Sequence, residues 1–345
     1  MNNYAVYIGR FQPFHHAHLE VCHQALRSAD KLILLVGSSQ ASPSIRNPFS
    51  FAERKKMIED SLSSEFRQRT IILPIPDYFY SDNAWVAHAQ QLVTSTVGNL
   101  KNTTITLVGY KKDHTSYYLD LFPTWQFESF DSSDTSLSST HIREYYFDDE
   151  TNSTLLQSYL KDTVPEQVVL FLQEFQKTNK YKMLCGEYKA ITEYKKAWSK
   201  APFPPTFITT DAVVTCGGHV LLITRKAQPG AGLLALPGGF INQEERLEDG
   251  CLRELKEETR IKIPLPVLRG SIVESKVFDH PLRSVRGRTV THAYYINLQE
   301  HELPKVKGGD DASHAAWVPL SWIYNNPDKL FEDHYQIIIA FLGRG

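Results

Sequence analysis

The chain has 345 residues, 42% of them hydrophobic and 22% charged, with a formal net charge of −2. That length is too great for one ordinary core, so two domains are expected. The near-neutral balance excludes a whole-chain field for nucleic acid or a membrane surface. Four cysteines stand far apart, at Cys22, Cys185, Cys216 and Cys251. Their spacing excludes a CxxC-type zinc or redox pair and predicts free thiols in a reducing compartment. The opening "MNNYAVYIG" lacks the charged start and long apolar core of a signal peptide, and no apolar run is long enough to span a bilayer. A cytoplasmic protein is expected.

Residues 4–8 alternate like a strand, and "HLEVCHQALRSADK" then sets Leu19, Cys22, Leu26 and Ala29 on one helical face. "KLILLVG" (31–37) is a continuous apolar run, as a strand covered on both faces would be. A helix near 51–62, a strand at 70–76, a helix from Trp85 and a strand at 104–110 continue the alternation. Such alternation predicts a doubly wound parallel sheet, whose ligands bind beyond the carboxyl ends of the strands. "GRFQPFHHAH" lies at such an end. "VPEQVVLFLQEFQ" (164–176) reads as a closing helix with Pro165 near its first turn, and 187–198 as another. "KAPFPP" (200–205) is a stiff joint. Beyond it come strand-like "FITTDAVVTC" and "HVLLITRK", a glycine turn, one charged helix, strand-like "TVTHAYYINL" and "HAAWVPL", and a last helix.

On their own, His15 and His18 are as readily a core pair or a weak metal pair as a functional one, metal being the poorer of those two because no acidic third ligand adjoins them in sequence. Three further stretches favour an anion. Arg46 precedes a turn signal, with Glu53 and Arg54 on the next helix. Lys111, Lys112 and Asp113 follow a strand. Ser138, Ser139 and Thr140 stand at an expected helix start with Arg143 one turn on. Hydroxyls and free N–H groups at a helix N-terminus bind anions, and an arginine can reach the same group.

"GRFQPFHHAH" and "LSSTHIR" resemble the (H/T)xGH and ISSTxxR signatures of the nucleotidyltransferase superfamily. "GSSQASPSIRNPFSFAER" narrows the resemblance to nicotinamide mononucleotide (NMN) adenylyltransferases of the archaeal type, over about the first 180 residues. Ala17 stands where that family usually has glycine. The resemblance implies direct adenylyl transfer from ATP to NMN, with Mg²⁺ accompanying ATP. It implies that Gly9, Arg10, His15, His18, Ser138, Thr140 and Arg143 surround ATP, with His15, His18 and Arg143 catalytic. It also implies that Arg46 holds the NMN phosphate and Trp85 stacks on the nicotinamide. The residues alone make Trp85 an amphipathic side chain packed at a helix start.

In "GGFINQEERLEDGCLRELKEETRI" (238–261), Glu254, Glu257 and Glu258 share one helical face, and Leu247, Cys251 and Leu255 another. Three crowded carboxylates repel unless a cation sits among them, although a solvated charged face is the usual reading of such a run. The stretch resembles the Nudix box at Gly239, Glu245, Arg253, Glu254, Leu255, Glu257, Glu258 and Ile261, with Arg260 replacing the last glycine. The resemblance implies Mg²⁺, or Mn²⁺, held by Glu254, Glu257 and Glu258 with Gly239 alongside. Arg253 would orient Glu254, and Glu245 would support the metal face. Arg283, Arg286 and Arg288, with Asp310 and Asp311, resemble the substrate loops of ADP-ribose pyrophosphatases. They are otherwise surface charges and a turn.

The whole order resembles fused bifunctional NMN adenylyltransferase/Nudix hydrolases. The expected fold is a Rossmann-like doubly wound parallel-sheet nucleotidyltransferase domain (1–182), a helical connection with a Pro-rich linker (183–204), and a Nudix α/β/α sandwich (205–345). Expected partners are ATP, NMN and ADP-ribose, without nucleic acid or membrane. A homo-oligomer and the nicotinate form of NMN stay open. So does an alternative: a nucleotidyltransferase of other specificity whose Nudix domain is a ligand sensor.

Overall fold

The computed structural model describes residues 2–98, 102–109, 119–130 and 137–343. The chain divides into two units, Met1–Cys185 and Gly186–Gly345.

In the first unit, strands β1 (Asn2–Gly9), β2 (Lys31–Val36), β3 (Thr70–Pro74), β4 (Thr103–Gly109) and β5 (Gln126–Ser129) form one sheet in the order β3-β2-β1-β4-β5. Every neighbouring pair is parallel. β2 is buried after Lys31, which explains its unbroken apolar run. Helices α1 (His16–Ser28), α2 (Phe51–Ser61), α3 (Ser64–Gln68), α4 (Asp82–Val97), α5 (Ser139–Phe147), α6 (Ser153–Thr163), α7 (Glu166–Phe175) and α8 (Asn179–Trp198) connect or follow the strands. α1 buries Val21, Cys22, Ala25 and Leu26, so Cys22 and Leu26 face inward as expected, whereas Ala29 is the residue that ends the helix. Ser50 starts α2 with a reciprocal cap: its hydroxyl accepts from the Glu53 N–H at 3.3 Å, and the Glu53 carboxylate accepts from the Ser50 N–H at 2.6 Å.

One expectation needs correction, the start of α8. Pro165 lies just outside α7, as its cap. α8 begins at Asn179, eight residues before position 187, and the division between units falls inside it. α6 carries no strong sequence signal, yet buries Leu156, Leu160 and Thr163.

The second unit has strands β6 (Thr206–Cys216), β7 (His219–Arg225), β8 (Leu234–Ala235), β9 (Gly238–Phe240), β10 (Ile272–Phe278), β11 (Arg288–Asn297) and β12 (Ala312–Pro319). Five follow the order β10-β11-β6-β7-β12, with β9 paired to β6 and β8 to β7. The sheet is mixed: β11 runs parallel to β6, and the other pairs are antiparallel. Its helices are α9 (Leu247–Thr259), α10 (Leu265–Gly270), α11 (Leu320–Asn325) and α12 (His334–Leu342). Cys251, Leu252 and Leu255 of α9 are buried with Ala212, Val214 and Leu221 of the sheet, and Leu247 packs at the edge of this core. The glutamates lie off this core face of α9, with Glu257 exposed, Glu254 part-buried and Glu258 buried.

Candidate active sites

The first site gathers at the carboxyl end of β1. Gly9 ends the strand, Arg10 follows it, and His15 precedes α1. The two imidazoles stack, with ring centroids 3.6 Å apart. His15 N–H donates to His18 Nδ1 at 3.3 Å. Phe11 and Phe14 pack on His18, with centroids at 4.9 and 5.7 Å. Burial, and then His15, hold the His18 pKa well below its ordinary value. His18 is therefore neutral, and with Nδ1 accepting, its proton sits on Nε2.

The second signature motif reaches the same place from 130 residues away. Ser138 caps α5, its hydroxyl accepting from the Thr140 N–H at 3.2 Å. Ser139 Oγ donates to the Pro13 carbonyl at 3.2 Å. Arg143 donates to the Gln12 carbonyl at 2.7 Å and to Thr140 Oγ1 at 3.2 Å. The Gln12 side chain exchanges two hydrogen bonds with the Phe49 backbone, 2.9 and 3.0 Å long, which brings in the loop that carries Arg46. Burial, then the Arg10 and Arg46 charges, lower Arg143 to about 9. Three guanidinium groups close enough to repel one another are what a polyphosphate would relieve. Ala17 sits in the first turn of α1.

Trp85 is part-buried in α4, packed edge-on against Phe122 at 5.8 Å as well as at the margin of the core. Lys111, Lys112 and Asp113 lie outside the described residues. Arg54 has a structural task that sequence reasoning missed. It is fully buried, and its guanidinium donates to the carbonyls of Arg10, Gly37 and Ser38 at 2.7, 2.6 and 3.2 Å. It thus ties the ends of β1 and β2 together. Asp77 was also missed; it accepts from Ser38 Oγ at 3.0 Å and faces the charges of Arg10 and Arg54.

In the second unit, a cavity of about 260 Å³ is lined by Glu254, Glu257 and Glu258 on one side and by Gly239, Arg225, Arg286, Asp310 and Asp311 on others. Arg253 organises the acids. It donates to Glu245 at 2.9 and 2.6 Å, to Glu254 at 2.8 Å and to Glu257 at 2.9 Å. The Arg253 bonds hold Glu245 down at about 2. Glu258 accepts from the Gly238 N–H at 2.9 Å. Burial, opposed by that bond and reinforced by Glu254 and Asp211, pushes Glu258 up to about 8. Glycine is required at 238, where a Cβ would lie 2.1 Å from the Thr210 carbonyl oxygen, and at 239 a Cβ would displace the Glu254 carboxylate, 2.7 Å from its Oε1.

Among the described residues, no three His, Cys, Asp or Glu side chains already converge as a metal cage. Arg253 draws Glu254 and Glu257 toward itself, and Gly238 holds Glu258. The donors nevertheless fit a hard divalent cation: they are carboxylate oxygens lining one cavity, and Glu258 is raised by burial first and then by the neighbouring Glu254 and Asp211 charges.

The arginines of the expected substrate loops separate. Arg286 lies over the Phe240 ring at 5.2 Å and lines the cavity. Arg283 also lines it, but is buried, with its guanidinium engaged by Asp333 at 2.9 and 3.0 Å. Arg288 is not among the lining residues and is held by Asp279, to whose carbonyl it donates. Arg225, Asp211, Glu332 and His334 line the cavity and were missed. A cation ending the apolar strand "HVLLITR" was the one signal available for Arg225.

A cytidylyltransferase-like family model matches residues 6–145, and a NUDIX domain model matches residues 206–341. The fold and sites thus define a nucleotidyltransferase domain followed by a Nudix domain. A crystal structure of a bifunctional NMN adenylyltransferase/ADP ribose pyrophosphatase from Francisella tularensis, complexed with AMP and a manganese ion, is 38% identical. It aligns over 99% of both chains with a TM-score of 0.90. The nicotinamide/nicotinic acid mononucleotide adenylyltransferase of Acinetobacter baylyi is 37% identical over 188 residues, 54% of this chain and 94% of that protein. The ADP-ribose pyrophosphatase of Methanocaldococcus jannaschii is 35% identical over 135 residues, 39% of this chain and 72% of that protein. The chain belongs to the bifunctional NMN adenylyltransferase/Nudix family.

Proposed function

We propose that the two sites make and break the same kind of linkage, a diphosphate joined to adenosine. The protein is bifunctional: it transfers an adenylyl group from ATP to NMN, giving NAD and pyrophosphate, and it hydrolyses ADP-ribose to AMP and ribose 5-phosphate with a divalent cation. On this reading residues 1–182 carry the first activity and 205–345 the second, with 183–204 between them. Its partners are the small molecules ATP, NMN and ADP-ribose. No helix among the described residues is long and apolar enough to cross a membrane. A cytoplasmic setting fits the four free thiols.

One observation carries the adenylyltransferase assignment. Arg143 and Ser139 are hydrogen-bonded to the backbone just before His15. Two signatures far apart in sequence therefore serve one anion. The NMN phosphate attacks the α-phosphorus of ATP, so the protein supplies position and charge rather than a nucleophile. His18 donates a hydrogen bond from its Nε2–H to a phosphate oxygen. His15, Arg10 and Arg143 balance charge as the pyrophosphate leaves, and Gly9, Ser138 and Thr140 line the same space. Arg46 takes the NMN phosphate, and Trp85 offers its ring to the nicotinamide.

For hydrolysis, Glu254, Glu257 and Glu258 hold the cation, Mg²⁺ or Mn²⁺, beside Gly239. When bound, the cation polarises phosphoryl oxygens and acidifies the attacking water. Arg253 orients Glu254 and Glu257, while Glu245 anchors Arg253. Arg286 and Arg283 face the diphosphate, and Asp310 and Asp311 line the same substrate cavity. Arg260 adopts the left-handed conformation that a glycine would (φ 48°, ψ 30°), so the substitution leaves the glutamates in place. That geometry favours a hydrolase over a sensor. Purified protein given ATP plus NMN, and separately ADP-ribose plus Mg²⁺, should form NAD and AMP respectively. Failure of either product to appear removes that half of the reading.

A further inference from the structure

The last turn of α9 leaves carbonyls without helical partners. The loop that carries Asp310 and Asp311 supplies them. Lys307 N–H donates to the Thr259 carbonyl at 2.8 Å, and Gly309 N–H to the Glu258 carbonyl at 3.0 Å. The loop lies tight against the helix. A Cβ on Gly309 would stand 2.5 Å from the Glu257 carbonyl oxygen and 2.7 Å from Arg260 Nε. On the other side, a Cβ on Gly308 would stand 2.8 Å from the His314 backbone nitrogen. Asp310 then takes a positive φ of 46°, and the Gly309 carbonyl accepts from the Ala312 N–H at 2.9 Å to close the turn. The Asp311 carbonyl accepts from the Lys226 N–H at 3.1 Å. Asp310 lines the same cavity as Glu254, Glu257 and Glu258, near enough for its charge to act on Glu254.

We infer that Gly309 is a positioning residue for hydrolysis: by seating its loop on the end of α9, it holds the Asp310 carboxylate in the cavity that the three glutamates line, where its charge acts on Glu254 and adds to their attraction for the cation. The helix that supplies the glutamates thus also locates a fourth acid, through a close approach at position 309 that only a residue without a side chain allows. Any Cβ at 309 meets the Glu257 carbonyl, which is backbone and cannot swing aside, so the loop must lift.

The inference rests on the reading of the glutamates as cation ligands, and the test separates the two. Mn²⁺ binding to the full chain is titrated by the electron paramagnetic resonance of free Mn²⁺, without substrate. Gly309→Ala and Asp310→Asn should each weaken binding roughly tenfold, the scale of removing one charge at this range. The double variant should be no weaker than the weaker single, since one change acts through the other. Wild-type affinity in either single variant, or effects that multiply, overturns the inference. Glu257→Gln is the control. If it weakens Mn²⁺ binding while Gly309→Ala does not, only this inference falls; if it changes nothing, the ligand reading falls and takes the inference with it. Should Gly309→Ala fail to fold by near-ultraviolet dichroism, Lys307→Pro replaces it. That change deletes the neighbouring loop-to-helix bond and should weaken Mn²⁺ binding likewise; unchanged binding overturns the inference.

Discussion

The backbone N–H of His15 donates to Nδ1 of His18 across 3.3 Å. A contact between neighbours on one helical turn thereby chooses the tautomer of a part-buried ring. It leaves Nε2 as the protonated nitrogen, and burial keeps the ring neutral.

His18→Ala should slow adenylyl transfer roughly 10²–10³-fold, the cost of removing one preorganised donor. NMN affinity should hold. His18→Gln should recover part of the rate, because its amide can donate where Nε2 does. Initial rates and calorimetric NMN titration check this; lost NMN affinity with turnover intact would show that the role is wrong.

Glu257→Gln should cut hydrolysis of ADP-ribose about a hundredfold or more while NAD synthesis continues. The side chain is 46% exposed, so losing its ion pair with Arg253 should barely move thermal stability. Near-normal hydrolysis in saturating Mg²⁺ would remove Glu257 from the ligand set.

Arg260→Gly should leave turnover within a few-fold. Glycine relieves left-handed strain of about 1 kcal/mol but adds unfolded-state entropy of similar size. The Arg260 N–H to Lys256 carbonyl bond, 2.9 Å, does not involve the side chain. An inactive wild type rescued by glycine would favour the sensor.

Each motif set is complete within its unit, so residues 1–200 and 201–345 should each keep their own activity. Tyr194 and Trp198 pack on Phe207 with centroids at 5.6 and 5.3 Å. A fragment 186–345 should therefore be more stable than 201–345, by about 1–2 kcal/mol for two aromatic pairs. Equal melting temperatures would mean that these contacts contribute nothing.

His334 is buried, and its Nδ1 accepts from the Leu236 N–H at 2.8 Å. Burial pushes its pKa down to about 3. The unfolded chain binds the proton first, near pH 6.5, so stability is present above that pH and lost as pH falls toward the folded value. His334→Asn keeps an acceptor and does not titrate. Melting curves between about pH 6.5 and 4.5 should fall less steeply for the variant; identical slopes would exclude His334 as the source.

Local physics was legible in the chain itself. The apolar run of β2 announced a strand covered on both faces. The spacing of Cys251 and Leu255 against Glu254, Glu257 and Glu258 set both faces of α9. Ser138 marked a helix start, and Arg260 a helix end that a glycine would normally make. Each of these depends on residues within a turn or two. The tertiary structure decided what lies across tens of residues. It engaged Arg283 with Asp333, 50 positions away, and packed Trp85 beside Phe122. It also buried Arg54 among three loop carbonyls and brought Asp211, Arg225 and His334 to one cavity. A charged side chain reads the same in sequence whether it meets solvent, a substrate or a buried partner. The path of the loops and the register of the strands determine which of these it meets.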